Sequence, residues 1–138
     1  MGALAKGEHT TTFGGNPLVS AAGAASIDAL LQDHLIENSV STGAYFKENL
    51  EKLRSEFSIV RETRGLGLML GVEMRFDVYN LLKRSWEEGV LMLDAGRNVL
   101  RFLPPLCLDR AQVDKVVGVM RRILQEEQSA RVPSQTIA

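Results

Sequence analysis

The sequence predicts an α+β domain: two leading helices, then a small, mainly antiparallel sheet covered by helices on one face. Apolar residues recur at helical spacing over 17–33, 34–57 and 77–88, and again from Val113 to Leu124. Short strand-like runs lie at 59–63, 68–74, 90–93 and 99–103. The order is helix, helix, strand, strand, helix, strand, strand, helix, which groups consecutive short strands with helices around them.

Each element has a local reason. Asn16 is a good N-cap and Pro17 a good first residue for the opening helix. That helix carries the small-residue run Ala21-Ala22-Gly23-Ala24-Ala25-Ser26, which lets a neighbour approach closely. In the second helix Ile36, Val40, Gly43, Phe46, Leu50, Leu53 and Phe57 form an apolar stripe, and charged residues fill the opposite face. Arg64-Gly65-Leu66-Gly67 is expected to turn between the first two strands, with Leu68, Leu70 and Val72 sharing one face of the second. Val78, Leu81, Leu82 and Trp86 form the stripe of the third helix, which Gly89 ends. Ala95-Gly96-Arg97-Asn98 turns between the last two strands, and Pro104-Pro105 stops the fourth. Asp109 and Gln112 have the spacing of a capping box ahead of the last helix. Pattern is lost after about Gln128, so 129–138 is expected to be a disordered tail.

The 138 residues suit one domain or a piece of a larger one, and 45% are apolar, enough for a core. A net charge of −1 gives no general attraction to nucleic acid or to an anionic membrane. No apolar run is long enough to span a bilayer, and Lys6 is followed by no apolar stretch of the secretory kind. The single cysteine, Cys107, forms no internal disulfide and fits a reducing compartment. With two histidines besides, a Cys/His zinc site is not expected. Gly65, Gly67 and Gly71 do not have dinucleotide-binding spacing and lead into a strand.

Few residues carry chemistry. Thr10-Thr11-Thr12, followed by Phe-Gly-Gly-Asn-Pro, put hydroxyls beside a helix N-terminus, which suits either an oxyanion or an ordinary capping loop. Arg101 stands between Leu100 and Phe102 in a strand. It must reach a carboxylate, an anionic ligand or solvent, because a buried unpaired charge is costly. Its planar fork suits a bidentate carboxylate, whereas on an edge strand it would snorkel; spacing leaves both open. Arg64 reads as structural, through an ion pair or a hydrogen bond to loop carbonyls. His9 reads as a loop residue, His34 as a helix-end residue, and Cys107 and Trp86 as core. None of Lys6, Lys47, Lys52, Lys83 and Lys115 has the desolvated setting of an amine nucleophile.

Three strings in order, Gly7-Glu-His-Thr-Thr-Thr-Phe-Gly-Gly-Asn-Pro-Leu18, Arg64-Gly-Leu-Gly-Leu-Met-Leu-Gly71 and Leu100-Arg-Phe-Leu-Pro-Pro-Leu106, closely resemble the C-terminal third of class III pyridoxal-phosphate-dependent aminotransferases. The likeness covers roughly residues 5–127 and is greatest to the acetylornithine and LysW-lysine/ornithine branch. It implies the C-terminal part of a fold-type I aminotransferase. Residues 1–56 would end the large cofactor domain, and 57–128 would form the small C-terminal domain. Thr12 matches the threonine that holds the phosphate of pyridoxal 5'-phosphate across a dimer interface, and Thr11 the residue bordering the substrate site. Arg101 matches the arginine that pairs with a substrate carboxylate. Threonine stands at position 10 where many relatives have glycine, but the hydroxyl is kept at position 11.

The implied reaction moves an ω-amino group to 2-oxoglutarate in a cytoplasmic homodimeric enzyme of arginine or lysine biosynthesis, with a LysW-type carrier as a possible partner. In the family the Schiff-base lysine lies upstream of the threonine loop. The chain therefore carries no catalytic lysine of that kind and is expected to be inactive alone. The alternative is a non-catalytic interaction module, or a subunit of a split aminotransferase, that docks through the helix at 17–33.

Overall fold

The computed structural model describes Gly7 and residues 11–131. Lys6, His9 and Thr10 lie outside the described residues, as does 132–138 of the expected tail. The chain forms two compact units, Met1–Leu35 and Ile36–Ala138.

In the first unit, helix α1 spans Pro17–Gln32. Asn16 caps it: its Oδ1 accepts from the Val19 N–H at 3.0 Å, and Pro17 sits at the first helical position. In its own unit the helix buries none of its residues.

The second unit contains all but the first residue of α2 (Leu35–Glu56), then β1 (Val60–Leu66), β2 (Met69–Met74), α3 (Tyr79–Glu87), β3 (Leu93–Asp94), β4 (Val99–Phe102) and α4 (Arg110–Arg131). The sheet order is β1-β2-β4-β3, with every neighbouring pair antiparallel. Strand alternation divides the sheet into two faces. Leu70, Val72, Met74, Leu100 and Phe102 pack into one core with Phe46, Leu50 and Leu53 of α2, Leu81 and Leu82 of α3, and Val113, Val117, Met120, Ile123 and Leu124 of α4. Phe46 meets Phe102 edge-on, with ring centroids 5.1 Å apart. The helices thus cover one face, as the sequence implied. By packing, α2 goes with the sheet.

Several local expectations change. The β1–β2 turn is not Arg64–Gly67. Register pairs Leu66 with Met69, so β1 extends through Arg64 and only Gly67 and Leu68 turn. Gly67 has φ 54°, and a Cβ on Gly43 would fall 2.3 Å from the Gly67 carbonyl oxygen, so two glycines let α2 touch the turn.

Strand β3 is two residues rather than four. The Val90 N–H donates to Ser85 (2.8 Å) and the Gly89 N–H to Trp86 (3.0 Å), a Schellman end that commits this stretch to closing α3. Trp86 is 46% exposed rather than core, its indole N–H donating to the Met92 carbonyl; Ser85 takes the buried position.

Cys107 is also exposed. Asn38 Nδ2 donates to the carbonyls of Leu106 (2.7 Å) and Leu108 (3.0 Å), and Leu108 enters the core while Cys107 faces outward. Ile36 and Val40, the first two members of the α2 stripe, are exposed. Helix α4 runs past Gln128 to Arg131, held by Arg131–Glu127 one turn apart (2.6 Å) and by the Arg131 guanidinium 3.7 Å from the Phe76 ring centroid. The capping box forms as expected: the Gln112 N–H donates to Asp109 Oδ1 (2.8 Å), and the Asp109 N–H to Gln112 Oε1 (3.1 Å).

Candidate functional site

The face of the sheet opposite the core formed with α2, α3 and α4 holds the candidate site. A bulge between Val60 and Glu62 shifts the alternation of β1, so Thr63 turns to the core while Glu62 and Arg64 turn to the open face. Register then lines up one row across the open face. Arg64 pairs with Gly71, Gly71 with Arg101, and Arg101 with Leu93. Because Gly71 has no side chain, the space between the two arginines stays open. Arg64, Gly71, Val99, Ala95, Met69 and Arg101 border a concavity of about 450 Å³ there.

The two arginines differ in electrostatic state. Arg64 is paired, 2.6 Å from Glu73 and 3.5 Å from Glu62. Glu73 is also 3.0 Å from Arg61. The hydrogen bond from Arg64, joined by the charge of Arg61, holds the Glu73 carboxyl below its ordinary pKa against the opposing effect of desolvation. The same bond raises Arg64. Arg64 is therefore the structural ion pair that its setting suggested.

Arg101 is half-buried on β4, which runs between β2 and β3. An interior strand removes the edge-snorkelling alternative. Its Nε is buried and finds no hydrogen-bond partner among the described residues. A buried N–H donor without a partner costs stability, and an incoming carboxylate or phosphate oxygen would satisfy it.

Thr11 and Thr12 belong to the first unit and Arg101 to the second. Thr11 Oγ1 accepts from the Gly14 N–H at 3.2 Å, and Asn16 Nδ2 donates to the Phe13 carbonyl at 2.6 Å. These bonds fold residues 11–16 into a tight turn. A Cβ at position 14 would lie 2.2 Å from the Thr11 methyl, so glycine there lets the Thr11 side chain sit against the turn. Thr12 is exposed. Thr11 is thus committed to the turn, while the Thr12 hydroxyl has no partner among the described residues.

Sequence reasoning singled out Arg101 but missed Gly71 as the floor of the row and Glu73 as the group that neutralises Arg64. Gly71 could have been found by pairing the two hairpins on paper, but only with the Leu66–Met69 register correct. Among the described residues, no group of three or more His, Cys, Asp or Glu side chains is placed to hold a metal ion. No helix in the described part is long and apolar enough to cross a membrane.

Comparison with known proteins bears on family and fold. Residues 1–124 match the family described as aminotransferase class-III. The chain is 38% identical over 121 residues to the acetylornithine aminotransferase of Caldanaerobacter subterraneus, covering 87% of this chain and 31% of that protein. It is 42% identical over 135 residues to the LysW-aminoadipate semialdehyde transaminase of Deinococcus radiodurans, covering 94% of this chain and 31% of that one. The fold superposes on the crystal structure of acetylornithine aminotransferase from Elizabethkingia anophelis with a TM-score of 0.82, at 28% identity over 89% of this chain and 33% of that one. The chain spans about a third of the length of the relatives it matches.

Proposed function

This chain belongs to the class III aminotransferases, and on that premise we propose that it is the C-terminal portion of an ω-amino-group aminotransferase with 2-oxoglutarate as amino acceptor. The observation that carries this reading is Arg101, which borders the open concavity and whose buried Nε finds no partner among the described residues. An acidic substrate gives that donor an acceptor, and the guanidinium fork binds a carboxylate through two parallel bonds. Arg64, already neutralised by Glu73 and Glu62, shapes the rim without competing for the ligand.

Class III aminotransferases use pyridoxal 5'-phosphate, which when bound supplies the electron sink for amino-group transfer. The residues present fit its phosphate. The exposed Thr12 hydroxyl can donate to a phosphate oxygen, while Thr11 keeps the turn closed through Gly14. Thr12 is thus the cofactor-binding residue of this reading. Thr11 and Arg101 are the substrate-site residues, Arg101 binding and orienting a carboxylate. The amino donor is of the acetylornithine or ornithine class. The LysW-aminoadipate semialdehyde transaminases among the relatives support a LysW-type carrier as the donor's vehicle. The working form is a cytoplasmic homodimer.

None of the five lysines of this sequence is assigned to the cofactor, so the 138-residue chain alone is proposed to be without transaminase activity. The experiment is a titration of the isotope-labelled chain with 2-oxoglutarate, followed at the Arg101 Nε–H and at the Gly71 and Val99 amides. Saturable shifts there, lost in Arg101→Gln, support the reading. Shifts confined to other residues, or an unchanged response in the variant, overturn it. Amino transfer to 2-oxoglutarate by the purified chain would separately overturn the inactivity.

A further inference from the structure

A second cationic concavity lies within the Ile36–Ala138 unit, in a region that the reading above does not use. It has a volume of about 550 Å³ and is bordered by Arg61, Arg75, Arg97, Asn98, Phe76 and Asp77. The three arginines come from three separate segments: the start of β1, the residue after β2, and the turn between β3 and β4. Backbone hydrogen bonds tie these segments together. The Arg75 N–H donates to Ile59 (3.1 Å), the Val78 N–H to the Arg97 carbonyl (2.9 Å) and the Met74 N–H to the Asn98 carbonyl (2.7 Å). Both ends of the concavity are therefore held by the sheet framework.

Arg75 and Arg61 are each anchored by part of their donor set, whereas the exposed Arg97 side chain makes no hydrogen bond among the described residues. Arg75 Nε donates to the Ser58 carbonyl at 2.9 Å, and among the described residues no carboxylate lies within 4.0 Å of it. Arg61 uses one terminal nitrogen on Glu73 (3.0 Å). Arg97 approaches Asp77 only through Nε, at 3.5 Å. The two nearby carboxylates are already shared: Glu73 serves Arg61 and Arg64, and Asp77 Oδ1 accepts from the Tyr79 N–H at 3.0 Å. Three positive groups thus face one cavity with an incomplete set of counter-charges.

We propose that this concavity binds a phosphate group, either inorganic phosphate or a phosphomonoester. Guanidinium groups approaching from three segments suit a tetrahedral anion, whose oxygens point in different directions. A planar carboxylate is served by one fork. Anchoring through Arg75 Nε fixes that side chain before the ligand arrives, which lowers the ordering cost of binding. The cavity is larger than a phosphate and is bordered by the Phe76 ring, which leaves room for an organic remainder.

The test is calorimetric titration of the full 138-residue chain at constant ionic strength with inorganic phosphate and, in a parallel arm, glycerol phosphate. The expected result is saturable binding with Kd on the order of 1 mM or tighter, weakened roughly tenfold by Arg75→Gln and by Arg97→Gln. A tighter Kd in the glycerol phosphate arm assigns the site to phosphomonoesters; equal or weaker binding assigns it to free phosphate. The Arg97 side chain is 91% exposed, so its replacement leaves the fold intact. Arg110→Gln, on the α4 side beside Tyr45, is the neutral control. No saturation below about 20 mM, parental binding in both variants, or an equal response to succinate overturns the proposal.

Discussion

Arg64 and Arg101 stand in one row of the sheet, each paired in register with the same glycine, Gly71. The first is neutralised by Glu73 at 2.6 Å, while the second keeps a buried Nε without a partner among the described residues. The contrast implies a trade between stability and binding at Arg101. Arg101→Leu should stabilise the chain by about 1 kcal/mol, because an unsatisfied buried donor is removed. Urea denaturation measures this. The same change should abolish carboxylate binding. Arg101→Lys, which keeps the charge but loses the fork, should weaken it at least about tenfold. A variant that gains no stability would show that Arg101 is satisfied by solvent in the free chain.

A second prediction concerns the contact between α2 and the β1–β2 turn. A Cβ on Gly43 would sit 2.3 Å from the Gly67 carbonyl oxygen, and backbone cannot yield as a side-chain tip can. Gly43→Ala should therefore cost about 1–3 kcal/mol, as overpacking does. At Gly67 the nearest atom is the mobile Ser39 hydroxyl, at 2.7 Å, so Gly67→Ala is limited mainly by its φ of 54°. Its cost should be smaller, roughly 1 kcal/mol. Equal losses in equilibrium denaturation would contradict the backbone contact as the cause.

The third prediction is local. Asp109 and Gln112 exchange two hydrogen bonds at the start of α4, satisfying a helix N–H that has no partner within the helix. Asp109→Ala should lower stability by about 1 kcal/mol. Asp109→Ser should recover most of that in thermal denaturation, since serine caps as well.

What was legible in the sequence, and what was not, follows the range of the interaction that decides it. The helices, the capping box, the Gly89 stop and the Asn16 cap are set within four or five residues, and periodicity or spacing reveals them. Arg101 was legible because a charge inside an apolar strand needs a reason wherever it lies. Its interior position, the role of Gly71 and the bulge at Arg61 depend on pairing between strands, which spacing does not encode. Trp86 and Cys107 were misread for a related cause. Apolar character marked both as core, but Ser85 and Leu108 take the inward positions once the ends of their segments are tied down. The arginine concavity is still less visible, because it gathers three segments from different parts of the chain.

The last prediction follows from the carboxylates. Glu51, Glu56, Glu73 and Glu88 all have pKa values below the ordinary one, each chiefly through a hydrogen bond: from Thr63, Arg121, Arg64 and Arg122 respectively. A carboxylate whose folded pKa is lowered contributes stability that is complete above its unfolded value. That stability is lost as pH falls through the folded value. The chain should therefore be stable near neutrality and lose stability below roughly pH 4.3, where unfolded glutamates take up protons. Glu51 offers the cleanest test, because its main partner is the neutral, buried Thr63, whose hydroxyl donates to it across β1 and α2. Thr63→Val keeps the shape and removes the donor. At neutral pH it should cost roughly 1 kcal/mol, reduced from the value for a fully buried charged bond because Glu51 is partly exposed. Between about pH 6 and pH 3 the variant should lose less stability than the parent, since its Glu51 no longer prefers the charged form as strongly in the folded state. Urea denaturation across that range separates the two effects. Parallel stability curves for variant and parent would mean that Thr63 contributes packing alone.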